Sequence, residues 1–249
     1  MASLRIGLCF HESALSNEES FRDLDVVVFP ELVDGGYQSL PGKSPHTESS
    51  SIFQSFRLLS QRRPLLVVAG TLFYRHRRSR PTNTNLVFHK GRVIHTYDKI
   101  HLFKPCNDHR YFRSGKRTGT FVYDAVPGRL RCGVVICYDI RFPEIVRSLA
   151  LKRMNILFVP ARWPVSRNDA WFTLLKARAI ENQIFVVGCN AAGPEGGNSY
   201  IFGPEGEVLL SCEDGDIMRW ADLDLSMLDR SRVLHNNMND AVLLRKRGR

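Results

Sequence analysis

Short runs rich in Val and Ile alternate along this chain with stretches whose apolar residues recur at three- and four-residue spacing. The first kind reads as strand and the second as helix. Strands are predicted at residues 4–10, 26–29, 65–74, 121–124, 130–137, 156–160, 184–189 and 216–225. Helices are predicted at 17–24, 51–61, 142–153 and 169–182, the last with Trp171, Leu174, Leu175 and Ile180 spaced for burial. Two pairs of strands read as hairpins: 83–88 with 93–97 around Lys90-Gly91, and 199–202 with 208–211 around Gly203-Pro204-Glu205-Gly206. A Pro127-Gly128 turn separates 121–124 from 130–137, and the polar stretches 75–82 and 104–120 read as loops. Strand–helix–strand units mixed with hairpins indicate an α/β fold built on one mixed sheet or on two packed sheets. No linker, repeat or low-complexity block divides the chain, so residues 1–249 read as one domain with a basic tail from about residue 240.

Composition narrows the class. With 249 residues, 43% hydrophobic and 24% charged, the chain can bury a large core without metal or disulfide staples. The start, MASLRIGLCF, has no long apolar segment and reads as a first strand rather than a signal peptide, and no apolar run approaches a membrane span. The six cysteines include no C-x-x-C pair and no His pair that completes a zinc pattern. Reduced thiols in a cytoplasmic protein, with no metal site, are therefore expected. The formal net charge of +10 raises the question of nucleic acid. However, the basic residues fall in short runs (Arg75-His76-Arg77-Arg78, residues 110–116, Arg245-Lys246-Arg247) without interleaved aromatics. Solvated loops and a basic tail account for them, with an attraction for small anionic ligands as a by-product.

The chemistry centres on Cys137. It closes the run Gly133-Val134-Val135-Ile136 and precedes a predicted helix with Pro143 in its first turn. A thiol at such a handover sits where ligands collect in open α/β sheets, and the positive helix end there favours thiolate. The alternative is a small buried apolar residue. Two other residues occupy similar positions: Glu31 after Val26-Val27-Val28-Phe29-Pro30, and Lys99 after residues 93–98. If each closes an apolar strand, all three converge on one sheet edge. Their chemistry is complementary. A carboxylate serves as base for a thiol and then for water, a thiolate attacks a carbonyl or nitrile carbon, and an ammonium balances the oxyanion. Taken singly, Glu31 also reads as a loop cap and Lys99 as a solvated strand end beside Asp98.

The segments Phe29-Pro30-Glu31, Tyr97-Asp98-Lys99-Ile100-His101-Leu102-Phe103, Cys137-Tyr138-Asp139-Ile140-Arg141-Phe142-Pro143-Glu144 and Ala177-Arg178-Ala179-Ile180-Glu181-Asn182-Gln183 resemble the nitrilase, or carbon–nitrogen hydrolase, superfamily. The resemblance covers nearly the whole chain and is strongest toward the omega-amidase branch. It implies a four-layer α-β-β-α sandwich with two mixed sheets, a homodimer or larger homo-oligomer, and a cofactor-free triad of Glu31, Lys99 and Cys137. It also implies cleavage of a small carboxylate-bearing amide through a thioester, with release of ammonia. The alternatives are a relative acting on N-carbamoyl amino acids, deaminated glutathione or nitriles, or a catalytically weak interaction protein. Where the family often carries a second glutamate, this chain offers Asp108, which either substitutes for it or leaves that role weakened. Tyr138 lends its N–H to the oxyanion. Arg162 and Trp163 fall where the family lines its pocket, Trp163 being equally a packing residue. Arg141, with Arg113, reads as a fork for a substrate carboxylate, or as a partner of Glu144. His101 reads as a buttress of its loop rather than as a base.

Overall fold

The computed structural model describes residues 3–16, 18–62, 64–77, 79–125, 128–193, 195–213 and 217–241. Asn17, Arg78, Pro127, Asp216 and the basic tail at 245–247, all of which entered the sequence reading, lie outside the described residues. In chain order the strands are β1 (Ser3–Cys9), β2 (Val26–Val28), β3 (Leu66–Val68), β4 (Leu72–Tyr74), β5 (Thr82–His89), β6 (Arg92–Asp98) and β7 (Thr120–Ala125). They continue with β8 (Gly128–Val134), β9 (Ile156–Ala161), β10 (Phe185–Asn190), β11 (Ser199–Phe202), β12 (Val208–Cys212) and β13 (Met218–Asp224). The helices are α1 (Ser51–Arg62), α2 (Asp108–Tyr111), α3 (Pro143–Ala150), α4 (Asn168–Asn182), α5 (Ser226–Leu234) and α6 (Asn237–Asp240).

Two mixed sheets result. One runs β13-β1-β2-β3-β5-β4 with β6 on β5, and the other runs β12-β11-β10-β9-β8-β7. At the heart of each lies a parallel triplet, β1-β2-β3 in the first and β8-β9-β10 in the second. Strand alternation separates the layers. Ile6, Leu8, Val26, Val28, Leu66, Val68 and Val87 join the core between the sheets. Their neighbours Cys9, Val27, Phe29, Val67 and Phe88 face outward onto Phe53, Phe56 and Leu59 of α1. In the second sheet Cys189 points inward, its Sγ 3.2 Å from Val28 O of the opposite sheet. Gly188 faces outward, where an added Cβ would come within 2.8 Å of Trp171 and 2.5 Å of Leu175 on α4. Glycine at 188 is what lets α4 lie close on β10. The layers are therefore α1, sheet, sheet, and α3 with α4, the four-layer α-β-β-α sandwich.

The structure corrects several expectations. Residues 65–74 are two strands, broken at Gly70 (φ +60°), where any Cβ would sit 2.0 Å from Pro30 O. That break lets Thr71 bind the turn after β2: Thr71 N–H donates to Pro30 O (3.1 Å), and Leu32 N–H donates to Thr71 Oγ1 (2.8 Å). The expected helix at 17–24 is instead one short 3-10 turn, Glu18–Phe21, preceded by another at Glu12–Ser16. The loop 104–120 contains a 3-10 turn and α2. Ile180, expected in the core, is 41% exposed, because α4 presents Trp171, Leu175 and Ala179 to the sheet instead.

Gly70→Ala is expected to lower unfolding free energy by about 2 kcal/mol or more, from a left-handed backbone and a backbone clash together. Urea unfolding followed by far-UV circular dichroism measures it.

Candidate active site

The loops after β2, β6 and β8 meet at one end of the sandwich. Glu31 and Lys99 come from the first sheet and Cys137 from the second, so the expectation of a single sheet edge is corrected. The residues face one another across the seam between two sheets. Glu31 and Lys99 are fully buried, and Lys99 Nζ donates to Glu31 Oε1 at 2.8 Å. The ammonium also donates to Asp108 Oδ2 at 2.9 Å and to the Tyr37 hydroxyl at 3.1 Å. Its three N–H bonds are thereby used.

Glu31 is held on both oxygens. Oε1 also accepts from the Tyr37 hydroxyl (2.9 Å) and Asn83 Nδ2 (2.8 Å), while Oε2 accepts from the Arg162 N–H (3.1 Å). Burial pushes the Glu31 carboxyl up, but Lys99 and hydrogen bonds from Lys99, the Cys137 thiol and Tyr37 outweigh it and hold the group below the usual carboxylate range. For Lys99, burial works toward the neutral amine, and Glu31, Tyr37, Asp108 and Cys137 more than reverse it, so the ammonium persists well above its ordinary range. Two carboxylates and one ammonium in a dry site leave an excess negative charge. The hydroxyl, amide and backbone donors around Glu31, with the Phe103 N–H on Asp108 Oδ2 (2.8 Å), stabilise it in part, and Asp108 Oδ1 is buried without a partner among the described residues.

Cys137 opens a 3-10 turn, Cys137–Arg141, with its own backbone in the left-handed region (φ +46°). Asp139, two residues on, fixes that turn. It is fully buried, and its Oδ2 accepts from Ile136 N–H (3.2 Å) and the Tyr97 hydroxyl (2.8 Å). Its Oδ1 meets the His101 N–H (2.8 Å) and Nδ1 (2.9 Å). Tyr97 and His101 flank Lys99, so one carboxylate ties the cysteine turn to the lysine strand. His101 also stacks on Phe142 at 3.5 Å, the buttress read from the sequence. From α4, Arg178 donates Nε and Nη2 to Ile140 O (3.1 and 2.9 Å) and closes the far end of the turn.

The Cys137 thiol donates to Arg162 O at 3.7 Å. Burial, then the Glu31 charge, drive it well above the ordinary thiol range, and Lys99 opposes them only in part. This overturns the expectation of a thiolate favoured by a helix end. The helix begins only at Pro143, beyond the 3-10 turn, and the charge of Glu31 acts on the thiol more strongly than that of Lys99. The resting state is thiol, carboxylate and ammonium.

Cys137 forms part of the wall of a cavity of about 360 Å³. Of the three triad residues expected from sequence, it alone reaches that wall, with Glu31 and Lys99 one layer behind. Phe103, Pro105 and Cys106 contribute from the loop after β6, Tyr37 from the loop after β2, and Glu195 from the loop after β10. Tyr138, Arg141, Arg162 and Trp163, the residues read from sequence as substrate-binding, all line the cavity. Their donors are unequally free. Arg162 spends its guanidinium on Glu31 O (2.8 Å), Leu32 O (2.9 Å) and Glu195 (3.4 Å). Trp163 stacks on Trp171 (5.3 Å) while its Nε1 donates to Arg167 O (2.9 Å), so it both packs and lines. Arg141 is exposed, lies 4.8 Å over the Trp163 ring, and forms no ion pair with Glu144 among the described residues. Arg113 is not at the cavity, where Arg167 stands in place of the expected second arm of the fork. Asp108 is buried against Lys99 and off the cavity wall. Tyr37, Asn83, Asp139 and Glu195 were not assigned from sequence. Only Asp139, inside the cysteine motif, carried a local signal.

The carbon–nitrogen hydrolase sequence profile matches residues 4–233. A 2-oxoglutaramate amidase of Bacillus subtilis (strain 168) is 36% identical over 225 residues, which cover 87% of this chain and 85% of that protein. The omega-amidase YafV of Escherichia coli (strain K12) is 29% identical over 215 residues, 84% of this chain and 80% of its own length. In fold, the chain superposes on Saccharomyces cerevisiae Nit3, a member of branch 10 of the nitrilase superfamily, with a TM-score of 0.82, 23% identity and 94% coverage of each chain.

Replacing Lys99 by Met leaves two buried carboxylates without a cation, and a loss of about 3–5 kcal/mol near pH 7 is expected. Without the ammonium, the folded state binds protons more tightly than the unfolded one, so the deficit shrinks as pH falls toward about 5. In the parent protein the depressed Glu31 contributes stability above the unfolded carboxylate range and loses it only as pH falls through its own lower value. Urea unfolding of both proteins at the two pH values checks the opposite slopes.

Proposed function

Because this chain belongs to the carbon–nitrogen hydrolase family, we propose that it is a cysteine-dependent amidase that hydrolyses a small carboxylate-bearing amide and releases ammonia. One observation carries the reading: the Cys137 thiol on a cavity wall is backed by a buried Glu31–Lys99 pair. A protonated thiol next to an ionised carboxylate is a nucleophile with its base in place. Glu31 takes the thiol proton as sulfur attacks the amide carbon. The Tyr138 N–H receives the oxyanion, and the fixed charge of Lys99 stabilises it from behind. Protonated Glu31 returns its proton to the departing ammonia, then draws one from water, which cleaves the thioester and frees the acid and the thiol.

Lys99 is no proton carrier in this scheme, since its pKa is held up and its three donors are committed. It keeps Glu31 anionic between turnovers. Asp108 fills the second-carboxylate role from behind the lysine rather than from the cavity wall. Substrate class follows from the wall. Arg141 and Arg167 present positive charge next to Trp163, which suits the carboxylate of an omega-amide such as a 2-oxo dicarboxylic monoamide. The amidase names of the relatives above support the same choice. The reading includes a cytoplasmic setting and a homodimer or larger assembly. No helix among the described residues is long and apolar enough to cross a membrane.

Assay of ammonia release over a panel of omega-amides, N-carbamoyl amino acids and nitriles tests the function. Turnover is expected on the omega-amides, and Cys137→Ala is expected to lose about a thousandfold or more. Near-parental turnover in that variant ends the proposal. In the same assay, Arg141→Met is expected to raise KM about 10–100-fold for carboxylate-bearing amides, with kcat little changed.

A further inference from the structure

Glu195 stands on the loop after β10, in a different sheet from Glu31, and the proposed chemistry gives it no part. We propose that it is a positioning residue that locks two of the donors to the Glu31 carboxylate, Tyr37 and Arg162, from across the seam. Its Oε2 accepts the Tyr37 N–H at 3.1 Å and pairs with Arg162 Nη1 at 3.4 Å. Those two residues are the ones that reach Glu31 from opposite sides. The Tyr37 hydroxyl donates to Oε1 at 2.9 Å, and the Arg162 N–H donates to Oε2 at 3.1 Å. Arg162 further grips the Glu31 carbonyl through Nε at 2.8 Å. One carboxylate oxygen thus sets the position of two donors that set the position of another carboxylate.

The surrounding backbone is shaped for this contact. At Gly36, just before Tyr37, an added Cβ would lie 2.4 Å from Glu195 Oε2 and 2.8 Å from Arg162 Cζ, and the backbone there has φ +69°. At Gly196, just after Glu195, an added Cβ would lie 1.7 Å from Ala191 O. The Gly196 N–H donates to Gly193 O (2.9 Å) and the Gly197 N–H to Ala191 O (3.0 Å), which folds the loop so that Glu195 projects toward Tyr37. Gly36 clears the space that Glu195 occupies, and Gly196 lets the loop that carries Glu195 fold back onto the Ala191 backbone. A carboxylate held this way orders an otherwise long loop, and its removal frees Tyr37 and Arg162 to move together.

The inference rests on reading Glu31 as the base, and its test has a readout that needs no substrate. Alkylation of Cys137 by iodoacetamide, followed by mass spectrometry across pH, reports how readily Glu31 accepts the thiol proton. In Glu195→Ala the acid limb of that profile is expected to move up by about half a pH unit or more, because Glu31 loses ordered donors. Turnover on the best omega-amide is expected to fall about tenfold or more, with KM within about twofold. Glu195→Gln keeps an acceptor oxygen and is expected to restore both. If Glu195→Ala does not fold, Glu195→Asp replaces it, with the same shift expected in smaller measure. An unmoved acid limb in a folded Ala or Asp variant overturns the inference, as does a Gln variant as impaired as Ala. A parental protein that alkylates normally but hydrolyses no amide overturns the proposed function and leaves the Glu195 test standing.

Discussion

The ion pair between Lys99 and Glu31 is the constraint around which the rest of the site is arranged. Neither group tolerates a dry interior alone. Together they require donors on the remaining carboxylate lone pairs, and Tyr37, Asn83 and the Arg162 N–H are recruited from three separate segments to supply them. The pair is thus less a contributor to stability than a specification of which loops must meet, and where. The sandwich supplies stability through the Val, Leu and Phe layers on both faces of each sheet, at roughly 1.5–3 kcal/mol per fully buried side chain.

Placing base and nucleophile on different sheets has a mechanical side. The sheets touch through apolar side chains, which resist separation but set no direction. Direction comes from a few polar crossings. Asp139 joins the cysteine turn to Tyr97 and His101, Arg162 reaches back to the Glu31 and Leu32 carbonyls, and Cys189 points its sulfur at Val28 O. Each is buried or partly buried and bonded to more than one partner. The reacting groups keep their spacing because these crossings fix register between two surfaces that are otherwise smooth.

Much of this was legible in the chain. Val26–Val28 and Ile156–Ala161 are apolar at every position and flanked by turn residues, so their strand character is local information. Glu31 and Cys137 each follow such a run, whereas Lys99 follows the mixed and largely exposed β6, so its place was legible only through the motif around it. What was not legible depends on distant chain. The break at Gly70 exists because Pro30 O passes 2.0 Å from where its Cβ would be, a fact of tertiary approach. The protonation state of Cys137 followed from burial beside a carboxylate, whereas the sequence offered only a nearby helix. Tyr37, Asn83 and Glu195 sit in segments with no periodicity of their own, and their places are set by what the opposite sheet presents. Arg113 failed as a cavity residue for the same reason: loop 104–120 folds into a short helix that turns it elsewhere.

The uncharged state of the Cys137 sulfur has a consequence for how the protein ages. Peroxides react with thiolates far faster than with thiols. A sulfur that rests protonated meets peroxide more slowly than a standing thiolate would. Exposed Cys106, on the wall of the same cavity, is held toward the thiol as well, by partial burial and the charge of Asp108.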